Sequence, residues 1–180
     1  MIFAGLLFLL AQAAQATPDA DPHVYTDPAM SFTAPDNAVL VNHQYVPVAQ
    51  LSEDLQPVAA WIINPGKEDA RTITLSMEAY SGPPDQWEGQ FESQTHSSGG
   101  NGVLIRNKTP MSLSNGMPAY FVEVAYGEGF DARKEYAILW ADGARGVVLS
   151  ETARLGDASA DEARTLLKQV TAVRYPVYQP

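Results

Sequence analysis

Residues 72–78 alternate strictly in polarity, with Ile73, Leu75 and Met77 on one side of the segment and Thr72, Thr74, Ser76 and Glu78 on the other. A pleated strand sends successive side chains to opposite faces, so this pattern demands a sheet with at least one buried face and fits a helix poorly. Ahead of it, residues 58–63 are continuously apolar and Asn64-Pro65-Gly66-Lys67 supplies a turn, which together predict a β-hairpin. The same grammar recurs downstream. Residues 119–126 place Tyr120, Val122, Val124 and Tyr126 on one face, and the strands 136–140 and 147–149 flank Asp142-Gly143, a favoured hairpin turn pair. Residues 30–33 read as a strand closed by Ala34-Pro35-Asp36-Asn37, with shorter β-like pieces at 39–41, 45–48, 103–106 and 111–113.

Two segments carry helical signals. Ser81-Gly82-Pro83-Pro84-Asp85 suits a helix start, since proline fits the first turn and an acid there complements the helix dipole. The spacing predicts a short helix over 84–94 that lays Trp87 and Phe91, four residues apart, onto the sheet. The second begins at Ser159, where Ser159-Ala160-Asp161-Glu162 forms a capping box. Ala163, Leu166, Leu167, Val170 and Val173 then share a face, Arg164, Lys168 and Gln169 point to solvent, and Pro176 stops the run. The expected fold is α+β: a mostly antiparallel sheet packed against a short internal helix and a C-terminal amphipathic helix, around one hydrophobic interior. The Gly- and Ser-rich stretch 97–102 has linker composition, but each half of the chain would be too small to stand alone without disulfides or metal. A single domain over 29–176 with a tail at 177–180 follows. No internal repeat is present.

The first sixteen residues carry no charge, and 2–10 is an apolar run too short for a spanning helix, which needs roughly 20 residues. Overlapping small-x-small sites at 11–16 predict a signal peptide over 1–16 cleaved between Ala16 and Thr17, with a buried N-terminal helix or a retained anchor as alternatives. Residues 17–28, rich in Pro and Asp, are expected to form a flexible tail. The destination is then periplasmic or secreted, and the mature chain contains no membrane span. The chain has no cysteine, so neither disulfide nor lipid attachment supports it. A net charge of −10, with no basic stripe among eleven Lys and Arg, argues against nucleic acid and anionic lipid surfaces.

The order of elements resembles the PsbP-like and DcrB-like superfamily of small α+β domains. The likeness is carried by Met30-Ser31-Phe32-Thr33-Ala34-Pro35, by Pro83-Pro84-Asp85-Gln86-Trp87 and by Asn115-Gly116-Met117-Pro118-Ala119-Tyr120, followed by 136–152 and the terminal helix. It covers most of the chain beyond the leader. That superfamily includes an extrinsic photosystem protein, a nuclear Ran-binding protein and bacterial envelope lipoproteins, and the resemblance implies binding or assembly rather than catalysis, with no catalytic residues to transfer. The lipidated cysteine of the lipoprotein members is missing here.

Chemistry-bearing patterns are sparse. His23, His43 and His96 stand far apart in sequence without the close ligand spacing of a zinc site, and the stretch from Asp19 fails as a calcium loop because Val24 and Met30 occupy its glycine and glutamate positions. No Gly-x-Ser-x-Gly turn surrounds Ser150, and Gly99-Gly100-Asn101-Gly102 leads into a strand where a phosphate loop would lead into a helix. Glu88 and Glu92, four apart, read as a solvated helix face opposite Trp87 and Phe91. No catalytic residue, metal or cofactor is therefore expected. Two features suit a partner surface: the tip containing Phe130, Arg133 and Lys134, and the pair Arg106 and Lys108, which share a strand face if the strand is regular. The expected function is a noncatalytic envelope protein that binds a protein partner. A carrier of a small apolar or amphipathic ligand held between sheet and helix, motivated by Trp61, Trp87, Tyr120, Tyr126 and Trp140 near predicted element ends, is the alternative, and a hydrolase with an unrecognised site stands behind both.

Overall fold

The computed structural model describes residues 21–99, 103–127, 132–154, 156–157 and 159–176. The signal and cleavage site at Ala16 and Thr17, the tail at 177–180 and Phe130 lie outside the described residues. Ten strands and two helices follow in the order β1 (Val24–Asp27), β2 (Met30–Thr33), β3 (Ala38–His43), β4 (Gln56–Ile63), β5 (Arg71–Ala79), α1 (Pro84–Gly99), β6 (Val103–Ser112), β7 (Pro118–Tyr126), β8 (Arg133–Ala141), β9 (Arg145–Arg154), α2 (Ala160–Leu167) and β10 (Thr171–Ala172). The fold is α+β, as expected. Seven strands form one antiparallel sheet in the order β3-β4-β5-β9-β8-β7-β6, and β1-β2-β10 form a second, smaller one.

The central strands of the large sheet are buried on both faces, which is why 136–141 and 147–149 read as continuous apolar runs. Tyr136, Ile138 and Trp140 of β8 face a core shared with the small sheet and α2, where Phe32, Trp61, Ile73, Leu75, Met77 and Leu167 meet. Ala137, Leu139 and Ala141 of the same strand face a second core built on Trp87 and Phe91 of α1, with Val122, Val124 and Val148. The single interior expected from sequence is thus two clusters on opposite faces of one sheet.

Several expectations are corrected. Residues 24–27, assigned to a flexible tail, form β1, because Tyr25 is buried and Asp27 pairs with Arg145 across the fold. Residues 45–48 make no strand. Pro47 offers no ladder donor, and only a single 3₁₀ turn follows at Val48–Gln50. The pieces expected at 103–106 and 111–113 fall on one edge strand, β6, with Leu113 just past its end; the strand tolerates Pro110 because an edge residue has no second partner to satisfy. Helix α1 runs to Gly99, so much of the Gly- and Ser-rich stretch lies in its last turn.

Helix α2 starts where its capping box indicated: Ser159 Oγ accepts from the Glu162 N–H at 3.2 Å and the Ser159 N–H donates to the Glu162 carboxylate at 3.4 Å. It stops at Leu167, well before Pro176. Thr171 and Ala172 instead pair with Ser31 and Met30 of β2, so Val170 is buried by a strand approach and Val173 is exposed. Removing the cap by Ser159→Ala is expected to lower folding stability by about 1 kcal/mol, measured by urea denaturation.

Candidate functional site

Of the residues expected at a partner surface, Lys108 and Lys134 form ion pairs within the molecule. Lys108 Nζ lies 2.6 Å from Glu88 Oε1 and 3.2 Å from Glu92 Oε1, which pins α1 to β6. Glu88 is only 6% exposed, so the expected solvated acidic face is an ion cluster, and burial pushes the Glu88 carboxyl up, with Lys108 opposing and Glu92 adding to the shift. A register shift between Ile105 and Asn107 breaks the alternation that would have put Arg106 and Lys108 side by side. Lys134 Nζ bridges Glu123 at 2.8 Å and lies over the Tyr136 ring, and its hydrogen bond holds the Glu123 carboxyl below the usual range. Arg133, opening β8, and Arg106 remain exposed.

The aromatics expected to line a ligand space are core residues: Trp61, Trp87 and Trp140 are fully buried, and Tyr120 and Tyr126 pack partly buried against the α1 cluster. The histidines serve separate roles. His23 Nδ1 lies 3.1 Å from the Pro35 carbonyl, and His43 packs edge-on against Tyr25. Among the described residues no group of three or more His, Cys, Asp or Glu could hold a metal ion, and no helix is long and apolar enough to cross a membrane.

A different surface concentrates unspent chemistry. The turn after β2, the β4–β5 turn and α2 converge on a pocket of about 430 Å³ lined by Pro35, Asn37, Asp69, Arg71, Asp157 and Glu162, closed by Ile63 and Leu166. Glu162 and Leu166 also line a groove of about 420 Å³ along α2, with Asp161, Thr165 and Gln169. The local sequence explains the geometry. The capping box orients Glu162 at the first turn of α2, where carboxylates favour the helix dipole. Asn64, at φ +51°, turns the chain between β4 and β5 and donates to Asp69 at 2.8 Å, fixing that acid at the rim.

Four carboxylates, Asp69, Asp157, Asp161 and Glu162, thus share these walls with one lining cation, Arg71. That cation is already engaged, because Arg71 Nη1 donates to Glu151 Oε1 at 2.7 Å. The neighbouring Arg164 stacks over the Phe121 ring and reaches Asp161 only at 3.9 Å. Glu151 is fully buried, and its Oε2 has no hydrogen-bond partner among the described residues. Burial pushes the Glu151 carboxyl up; Arg71 opposes this and nearby Glu162 adds to it. The field at this corner is therefore negative, with the half-buried Leu166 as an apolar centre. Such a surface suits a cation carried beside an apolar group.

Sequence reasoning did not reach these residues. The one available signal was Glu151, a carboxylate two positions past the apolar run 147–149, which needs a cation close by once it is buried. That the cation is Arg71, eighty positions away, is set by the β5–β9 register, in which Ile73 lies opposite Glu151.

No family model and no curated protein matches the chain by sequence. Solved structures match it in fold. PA94, a protein of unknown function from Pseudomonas aeruginosa, is 12% identical, with 80% of this chain and 99% of that one covered at a TM-score of 0.51. LpqN of Mycobacterium tuberculosis, described as involved in cell envelope biogenesis, is 17% identical over 82% of this chain and 86% of its own, at 0.49. The Ran-binding protein Mog1p of Saccharomyces cerevisiae is 12% identical over 81% and 90%, at 0.46. The likeness to PA94 shows a shared α+β fold.

Proposed function

We propose that this chain is a noncatalytic, exported protein of the cell envelope whose acidic α2 face docks a basic, partly apolar segment of a protein partner. The observation that carries this reading is the ring of Asp69, Asp157, Asp161 and Glu162 around Leu166, in which Glu151 already engages the one lining cation, Arg71. A ligand that brings its own positive charge gains Coulomb energy there, and Leu166 offers a contact that holds the segment in register. The net charge of −10 would speed such an encounter and make it sensitive to salt. The uncharged apolar run ahead of Ala16 supports export, and the resemblance to PsbP-like and DcrB-like domains supports binding in place of catalysis.

The test uses a fluorescent peptide alternating lysine and leucine, titrated with the full chain and read by anisotropy. Binding is expected to weaken about tenfold on doubling the salt, and by at least that factor in Asp161→Lys/Glu162→Lys. Leu166→Ser, at a half-exposed position, separates the apolar contribution. Equal affinity of the charge-reversed and unaltered proteins would remove the α2 face from the account, and turnover by the purified chain in an ester, glycoside or peptide screen would overturn the noncatalytic part.

A further inference from the structure

Across the sheet from α2, the loop at 51–55 and the C-terminal half of α1 border a separate, open cavity of about 480 Å³, lined by Asp54, Leu55, Phe91, Gln94, Thr95 and Ser97. One wall is apolar: Phe91 is buried in the α1 cluster and Leu55 packs against that cluster. The other wall is polar, with one lining carboxylate, Asp54, and with Glu78 buried behind Gln94. Asp54 is exposed at the rim, and Gln94 reaches from the cavity to Glu78, donating to Glu78 Oε2 at 2.8 Å while Gln90 donates to Oε1 at 2.5 Å.

Glu78 is 0% exposed and its hydrogen-bond partners are neutral amides. All eleven Lys and Arg of the chain lie within the described residues, and none forms an ion pair with it. Among the described residues every other buried glutamate has a cation: Glu88 has Lys108, Glu123 has Lys134 and Glu151 has Arg71. A buried carboxylate without a counterion is costly, and the protein relieves this for Glu78 only with two amide donors. Burial accordingly pushes its carboxyl up, with the Gln94 hydrogen bond opposing and Asp54 adding to the shift.

We propose that this cavity binds a small amphipathic cation, an ammonium carried on a short unbranched apolar body. The ammonium sits between Asp54 and Gln94, in the field of Glu78, and the apolar body lies along Leu55 and Phe91. A neutral molecule of the same shape gains only the apolar contact, and an anion is repelled by both carboxylates. The cavity lies off the α2 face and shares no residue with it, so the two readings stand or fall separately.

The experiment titrates the full chain with n-hexylammonium, hexan-1-ol and hexanoate, followed by ligand-observed saturation-transfer NMR and by the backbone amide shifts of Gln94, Thr95 and Ser97. The ammonium is expected to bind at least about tenfold more tightly than the alcohol and to move those three amides, with hexanoate showing no binding. Glu78→Gln is expected to bring the ammonium down to the alcohol's affinity. Asp54→Asn, at an exposed position that does not touch the core, should weaken it severalfold while leaving the alcohol unchanged. Equal binding of amine and alcohol, insensitivity to both substitutions, or no binding of the amine would each overturn the proposal. Asp161→Lys/Glu162→Lys should leave amine binding as it was.

Discussion

Replacing Arg145 by leucine is expected to lower folding stability by about 3–5 kcal/mol, the range for stripping a buried ion cluster of its cation. Arg145 is 2% exposed, with Nε 2.7 Å from Asp142 Oδ2 and Nη1 2.5 Å from Asp27 Oδ2. Its guanidinium also stacks on the Tyr175 ring at 4.8 Å, and the Tyr175 N–H donates to the Asp142 carbonyl at 2.9 Å. One side chain thus ties the β1–β2 turn, the β8–β9 turn and the segment after β10 together. Without it, two buried carboxylates face each other uncompensated. The measurement is guanidinium chloride denaturation of Arg145→Leu, beside the triple variant Asp27→Asn/Asp142→Asn/Arg145→Met. The triple variant should recover most of the loss, since it buries no uncompensated charge. An amide oxygen at position 142 can still accept from the backbone N–H groups of residues 144 and 145, as Asp142 Oδ1 does at 3.1 and 2.9 Å. A single substitution costing under about 1 kcal/mol would mean that the small sheet is held by packing alone.

The second large effect concerns how α1 is seated. Trp87→Ala is expected to cost about 3–5 kcal/mol, because the ring is fully buried against β9. The contact is unusually close: a Cβ added at Gly146 would stand 2.8 Å from Trp87 Cδ2, Cε2 and Cε3. Gly146→Ala, in a central strand, should therefore destabilise by about 1–3 kcal/mol through overpacking, although alanine is otherwise the better strand residue. Because both changes act on one contact, Gly146→Ala combined with Trp87→Ala should cost less than the sum of the two singles, with the coupling read from a double-mutant cycle. Strict additivity would show that Gly146 is required for a reason other than room for the indole.

Both effects mark where reading along the chain stops. The strands at 30–33, 58–63, 72–78, 119–126, 136–140 and 147–149 could be located because period-two alternation, continuous apolar runs and turn residues are local signals, and each has its counterpart in β2, β4, β5, β7, β8 and β9. The start of α2 was legible for the same reason, since a capping box is written in four consecutive residues. Its end was not. Val170 and Val173 continue the helical spacing by coincidence, and only the free edge of β2 turns that stretch into β10. Asp27 likewise looks like part of a polar tail until Arg145, 118 positions later, is folded against it.

For the candidate sites the division is sharper. A sequence shows Glu78 on the polar side of an alternating strand and Glu151 just past an apolar run, but a cation nearby along the chain and one eighty residues away are indistinguishable on paper. Pairing is decided by strand register, which gives Arg71 to Glu151 and leaves Glu78 with two glutamines of α1. Composition and local pattern by themselves determined that this chain is acidic, cysteine-free and built of antiparallel strands and two helices, because those properties depend on side-chain type and near neighbours. Which charges cancel, which face of the sheet each helix covers, and where unspent negative potential meets an apolar surface were decided only by the tertiary structure, since Coulomb and packing energies depend on distances in space that sequence separation does not encode.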